Sequence, residues 1–120
     1  MTYVDGFVLA VPKANFEAYR KMAETGREVW MDHGALTYVE CVGENVPEGE
    51  VTSFPMAVKA TPDEVVVFSW VTYQSRAHRD EVMAKVMADP RLQPDPASMP
   101  FDGKRMIFGG FETFVTSDGG

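Results

Sequence analysis

The stretch VVVFSWVTY, residues 65–73, decides the fold, because every residue except Ser69 is β-branched or aromatic. A run of this length and composition predicts a β-strand at the centre of a sheet. Alternate side chains of a strand point to opposite faces. One face of this strand therefore carries Val65, Val67, Ser69 and Val71, and the other carries Val66, Phe68, Trp70 and Thr72.

Three further segments have strand character. YVDGFVLAV, residues 3–11, ends at Pro12, which cannot donate to a ladder. ALTYVECVG, residues 35–43, alternates and is rich in β-branched residues. Residues 104–115 complete the set, and the pair Gly109-Gly110 predicts a bulge within that strand.

Two helices are predicted between these strands. From Lys13 to Asp32 apolar residues recur at three- and four-residue steps, and His33-Gly34 supplies a closing cap. Ser75 is a suitable N-cap for a second helix that ends near Asp89-Pro90. The connections 44–64 and 90–103 are rich in proline and predict irregular structure, with a short element at FPMAVKA in the first.

The resulting order, β-α-β-β-α-β, predicts an α+β, ferredoxin-like domain with two helices on one face of an antiparallel sheet. We expect one domain over residues 1–116 and a flexible tail over residues 117–120. The small residues of the strands suit close approach of the helices, so the bulky set, including Phe7, Leu9, Phe68, Trp70 and Tyr38, is expected on the second face. Such a patch favours pairing with a second copy. The alternative is a monomer in which loop 44–64 covers that face.

Composition restricts the classes of partner. The formal net charge of -7 disfavours nucleic acid and anionic membranes. The single cysteine, Cys41, excludes an internal disulfide, and it is expected to be a small buried group. With no secretory signal and no run of 18 apolar residues, the sequence favours a cytoplasmic protein. His33 and His78 lack metal-ligand spacing and no phosphate-binding glycine motif is present, so no metal or cofactor is predicted.

Carboxylates on the bulky face are the first candidates for chemistry, because surrounding aromatic groups disfavour the charged form. Asp5 shares one side of its strand with Phe7, and Glu40 shares one side with Tyr38. If these sides form one face, a ligand pocket holds them together with Trp70, while Arg105 neutralises one carboxylate. The alternative is that either carboxylate lies near a strand end, paired or solvated.

A weaker candidate is the start of the second helix, where Arg76 and Arg79 add positive charge to the positive end of the helix dipole. An anionic ligand would relieve this arrangement. The alternative is internal pairing, with Arg76 reaching Asp80 one turn later.

Four segments carry a family resemblance: MAVKATPDEVVVFSW (56–70), SRAHRDEVMAKVMADPR (75–91), MPFDGKRMIFGGFE (99–112) and YVDGFVLAVPKANFEAYR (3–20). They resemble the YbaA-type family of bacterial proteins of unknown function. The resemblance implies a dimeric α/β-barrel, in which two ferredoxin-like sheets stack face to face, and it implies no activity, substrate or cofactor.

The sequence therefore predicts a cytoplasmic homodimer that binds a small, partly apolar or anionic molecule in a cavity of the sheet face. A cofactor-independent enzyme resembling a monooxygenase or an isomerase is one form of this hypothesis. The alternative is a non-catalytic structural or interaction protein whose second sheet face is only a dimer core.

Overall fold

The computed structural model describes residues 2–93 and 95–119. Met1 of the predicted domain, Pro94 of the proline-rich loop and Gly120 of the predicted tail lie outside the described residues. In chain order the elements are β1 (Tyr3–Pro12), α1 (Phe16–Asp32), β2 (Thr37–Val42), the single turn α2 (Phe54–Ala57), β3 (Glu64–Tyr73), α3 (Arg76–Ala88) and β4 (Ile107–Glu112). Short 3-10 helices occupy Lys13–Asn15, Pro90–Leu92, Pro96–Ser98 and Gly103–Arg105.

The four strands form one antiparallel sheet in the order β2-β3-β1-β4. The α+β class and the inner position of β3 are confirmed. The start of α3 and the end of α1 also follow their sequence signals. The Ser75 hydroxyl accepts a hydrogen bond from the His78 amide at 3.1 Å, and Gly34 takes a left-handed φ of 106° after α1.

Strand pairing corrects the prediction of what each face carries. Phe7 pairs with Ser69, Leu9 pairs with Val67, and Tyr38 pairs with Val71. Directly paired residues share a face, so large residues of one strand lie beside small residues of the next. Phe7, Leu9 and Tyr38 therefore lie under the helices, on what we call the helix face.

The core of the protein lies between the helix face and the two long helices. Val29 of α1 and Val82 and Val86 of α3 pack in one cluster with Val71 and Tyr73 of β3. A second cluster joins α1 to the other end of the same face through Tyr19, Leu9, Val11 and Val67.

The opposite side of the sheet, which we call the open face, is covered at one end, and this cover extends to Phe54 of α2, whose ring centroid lies 6.0 Å from that of Phe68. There Val58, which follows α2, is fully buried against Ala10 and Val66. Farther along, Phe68 is 44% exposed and Phe111 is 63% exposed. Loop 44–64 thus covers part of this face and leaves most of it open.

β4 is shorter than predicted, and the expected bulge is wrong. Asp5 pairs with Gly110 and Gly6 with Gly109, without a break in register. Glycine is needed at position 110 for a different reason: a Cβ there would collide with the Tyr3 hydroxyl and would lie 2.6 Å from Arg79 Nη2.

Candidate functional site

A cavity of about 590 Å³ lies between the helix face, α1, the end of α3 and the segment that leads to β4. Its volume is within the range of small-molecule sites. Most of its wall is apolar, formed by residues that include Phe7, Leu9, Met22, Trp30, Val86, Leu92, Met99, Phe101 and Met106.

One carboxylate, that of Glu40, belongs to the β2 wall of this cavity and is bound by two phenols. Tyr19 Oη donates to Glu40 Oε1, and Tyr38 Oη donates to Glu40 Oε2 at 2.6 Å. Glu40 reaches the helix face because it pairs with Ser69, and α1 brings Tyr19 over it. The strand and the helix together fix the orientation of both carboxylate oxygens.

Both phenols remain donors over the whole neutral pH range. Burial, followed by the hydrogen bond to Glu40, raises the pKa of Tyr19 far above that of free tyrosine. Burial and the negative charge of Glu40 raise the pKa of Tyr38 in the same direction. Within residues 2–93 and 95–119, Glu40 forms no ion pair within 4 Å, and its two side-chain hydrogen bonds come from neutral phenols.

Gly26 makes room for the Tyr38 hydroxyl. A Cβ at this position in α1 would lie 2.7 Å from Tyr38 Oη. Glycine inside a helix costs about 1 kcal/mol relative to alanine, so the site accepts a local loss of helix stability to admit the phenol. One turn later, Trp30 packs against the Tyr38 ring with 5.7 Å between ring centroids.

The positive charge that borders the cavity is already paired. Arg91 donates to both carboxylate oxygens of Asp89 and also to Asp32. Asp89 is bound by His33 Nε2 at 2.8 Å as well, and these bonds, led by those from Arg91, hold its pKa well below the ordinary range. Among the described lining residues no unpaired cation therefore remains to receive an anionic ligand.

The cavity gathers four of the six residues predicted to bind a ligand. Phe7, Tyr38, Glu40 and Trp70 line it, although the Trp70 ring lies on the open face, 5.4 Å from that of Phe68. The predicted location on an uncovered face is wrong, because strand register places Glu40 under the helices.

Asp5 lies on the helix face but belongs to a separate buried cluster. Its carboxylate is 3.5 Å from Arg79 Nε, and Arg79 Nη2 donates to Tyr3 Oη at 3.0 Å. Burial raises the pKa of Asp5, and a hydrogen bond with Tyr73 and the charge of Arg79 partly offset this rise. Asp5 is therefore a paired carboxylate, as the alternative in the sequence analysis held, and its contact with Arg79 joins β1 to α3.

The two arginines of the predicted anion site both have carboxylates close by. Arg76 Nε is 3.9 Å from Asp80, the partner that the alternative named, and Arg79 lies against Asp5 and Asp80. Anion binding at Arg76 and Arg79 stays a prediction to which this geometry adds no support.

Arg105 does not neutralise Asp5 or Glu40. It binds both carboxylate oxygens of Glu64 at 2.9 and 2.7 Å and donates to the Lys59 carbonyl at 2.8 Å. These contacts, led by the hydrogen bonds from Arg105, lower the pKa of Glu64 to about 2. Arg105 therefore connects the approach to β4 with the start of β3.

Three further findings bear on the chemistry. Cys41, expected to be buried, is exposed on the open face because its direct partner is Phe68. Across the described ranges, no three or more histidine, cysteine, aspartate or glutamate side chains are grouped as a metal site. Nor does any described helix have the length and hydropathy needed to cross a membrane.

Tyr19 contributes to this candidate site and was not predicted from the sequence. The helical periodicity places it on the apolar stripe of α1 with Met22 and Ala23, where a tyrosine is interpreted as one more core residue. Its hydroxyl was the available signal, because a buried tyrosine hydroxyl generally needs a hydrogen-bond partner.

Comparison with known proteins agrees with the family resemblance. Residues 2–103 match the family described as "Protein of unknown function (DUF1428)". The chain is 53% identical over 115 residues to "Uncharacterized protein YbaA" of Escherichia coli K12, covering 96% of this chain and 98% of that protein. The YbaA proteins of Escherichia coli O157:H7 and Shigella flexneri match with the same identity and coverage. The chain therefore belongs to the YbaA-like DUF1428 family, whose function is unknown.

Proposed function

We propose that this protein is a cytoplasmic homodimer of ferredoxin-like subunits, and that it binds a small, largely apolar molecule carrying a hydrogen-bond donor. The observation that carries the ligand proposal is the Glu40 carboxylate, bound by two phenols in the wall of an apolar cavity and without a cationic partner.

The hydrogen-bonding capacity of Glu40 determines the class of ligand. Each carboxylate oxygen has two lone pairs, and each accepts one phenol, so one lone pair on each oxygen is left for a ligand donor. A neutral O–H or N–H group, or an ammonium group, satisfies this capacity. A carboxylate ligand would instead be repelled by Glu40, and this favours the apolar form of the sequence hypothesis over the anionic one.

The open face supports the dimer. Its strand positions between Val66 and Thr72 and between Ile107 and Phe111 carry no charged side chain. For the whole sheet face, including the end that loop 44–64 covers, four strands about 4.8 Å apart and about eight residues long give a projected area of roughly 500 Å². Protruding side chains such as Phe68 and Phe111 increase the accessible area toward the ~800 Å² per partner of a standard interface. A second copy presents the same apolar face, so two-fold sheet packing covers both.

Methionine methyl NMR tests the ligand proposal, because several methionines line the cavity. We expect indole to shift the methyl resonances of Met22, Met99 and Met106, and to leave Met56, outside this cavity, unchanged. Indene, which has the same shape but no N–H, serves as the matched probe and is expected to bind at least about tenfold more weakly, as loss of one charge-assisted hydrogen bond implies. Equal affinity for the two compounds, or shifts confined to Met56, would contradict the proposal.

Sedimentation velocity tests the dimer. Phe68→Glu places a charge on the open face and is expected to produce monomers at micromolar concentration. Phe108→Glu is the control, since Phe108 is also an exposed phenylalanine, at 72% against 44% for Phe68, and it pairs with Phe7 and so belongs to the other face. A monomeric wild-type protein would refute the dimer, as would a Phe68→Glu variant that sediments as a dimer.

A further inference from the structure

The hydrogen bonds of Glu40 change when the carboxylate takes up a proton. An ionised carboxylate accepts at both oxygens, as Tyr19 and Tyr38 require. A protonated carboxyl carries an O–H at one oxygen and accepts less strongly there. One phenol is then free to donate to another acceptor beside the carboxyl.

Abstraction of a proton from a carbon acid requires this coupling between protonation of the carboxylate and release of a phenol. Resting on the proposed binding function, with the acidic α-C–H of the substrate in the place of the ligand's O–H or N–H donor, we infer that Glu40 is a general base. It removes a proton from the carbon next to a ketone carbonyl of a neutral apolar substrate. Tyr19 or Tyr38 then donates a hydrogen bond to the enolate oxygen.

The step conserves atoms and charge. The Cα–H bond breaks and its proton forms an O–H bond with Glu40, while the electron pair forms the Cα=C bond and the carbonyl π pair moves to oxygen. Return of the proton to the same carbon regenerates the ketone. In a β,γ-unsaturated ketone, delivery of the proton to the γ-carbon instead gives the α,β-unsaturated isomer. No oxidant, reductant or metal enters this balance.

The electrostatics of the cavity favour such a transfer. One negative charge is present before the step on Glu40 and after the step on the enolate, so no additional charge is buried. The same two phenols stabilise both states, and pre-positioned donors of this kind supply much of the stabilisation in known enolising sites. Because burial keeps the pKa values of both tyrosines high, the phenols donate hydrogen bonds without losing their protons at neutral pH.

Exchange of α-protons in D₂O measures this step without knowledge of the natural substrate. The probes are 2-tetralone, cyclohexanone and acetophenone, followed by loss of their α-proton NMR signals, with methionine methyl shifts recorded in the same samples. We expect the protein to accelerate exchange for at least one ketone that shifts the cavity methyls. Glu40→Gln should lower the accelerated rate by about 10²-fold or more, and Tyr19→Phe or Tyr38→Phe by about tenfold or more.

The control is Glu17→Gln, which removes an exposed carboxylate of α1 outside the cavity and should leave the rate unchanged. Circular dichroism checks that each variant is folded. Ketone binding without accelerated exchange overturns the inference and leaves the binding proposal intact, as does a cavity that binds indole but none of the three ketones. Accelerated exchange that persists in folded Glu40→Gln also overturns it. Absence of binding by every probe, indole included, overturns the proposed function itself.

Discussion

Removing one phenol from the carboxylate at the cavity wall should destabilise the protein by an amount that depends on the charge of Glu40. In Tyr19→Phe the carboxylate loses the donor to Oε1, and Tyr38 remains on Oε2. A hydrogen bond to a charged group contributes about 1.5–3 kcal/mol, so the free energy of unfolding should fall by that amount. For a domain of this size the melting temperature should fall by about 6–12 °C.

To measure how the effect depends on the charge at position 40, Tyr19→Phe is repeated in a Glu40→Gln background. A bond between neutral groups contributes about 0.5–1.5 kcal/mol, so the coupling between positions 19 and 40 should be about 1 kcal/mol or more. Urea unfolding at 25 °C and neutral pH, at one fixed protein concentration, measures all four variants.

Tyr3→Phe is the matched control, because it removes a phenol that accepts a hydrogen bond from Arg79 rather than one that contacts Glu40. Its effect should be the same in both backgrounds to within about 0.5 kcal/mol. If Tyr19→Phe is equally insensitive to the residue at position 40, the carboxylate and the phenol are not coupled and the reasoning about this site fails.

Three further outcomes are expected. Glu64→Gln should destabilise the protein at pH 7, because the pKa of Glu64 is about 2 in the folded protein against an ordinary 4.5. The stability that the Glu64 carboxylate contributes is therefore present above pH 4.5 and declines as the pH falls toward 2. Urea unfolding should show the wild type and the variant converging at that pH. Gly26→Ala should weaken indole binding, measured by methyl NMR, because the new Cβ displaces the Tyr38 hydroxyl; unchanged affinity would contradict the role given to this glycine. The raised pKa values of Tyr19 and Tyr38 imply that stability falls as the pH rises above about 10, where unfolded tyrosines ionise, and absorbance at 295 nm should show these two phenols titrating only above that pH or on unfolding.

The elements of the fold were predictable because their signals are local. The β-branched run 65–73 needs no partner to indicate a strand, and the Ser75 cap and the left-handed Gly34 act within one helical turn. The bulge at Gly109-Gly110 failed for the complementary reason. Glycine in a strand can signal either a bulge or a close neighbour, and here the neighbours are Tyr3 and Arg79, both distant in sequence.

The site was only partly predictable, because strand register is not a local property. Alternation within β1 or β2 shows which residues share a side, and only the pairing of Glu40 with Ser69 shows that this side lies under the helices. Ion-pair partners are equally hard to predict from local sequence. Arg105 was an available cation for any carboxylate, and the fold brings it to Glu64, 41 residues away in sequence.

The positions on either side of Glu40 connect the two proposals. In the sheet formed by the described residues, β2 is an edge strand paired with β3, so strand pairing holds it on one side. Because consecutive side chains alternate, Glu40 points toward the cavity while Val39 and Cys41 belong to the open face. A second copy packed on that face would press on Val39 and Cys41 and restrain the backbone between them. Dimer formation would thereby fix the position of the carboxylate relative to Tyr19, which α1 supplies from the opposite side of the strand.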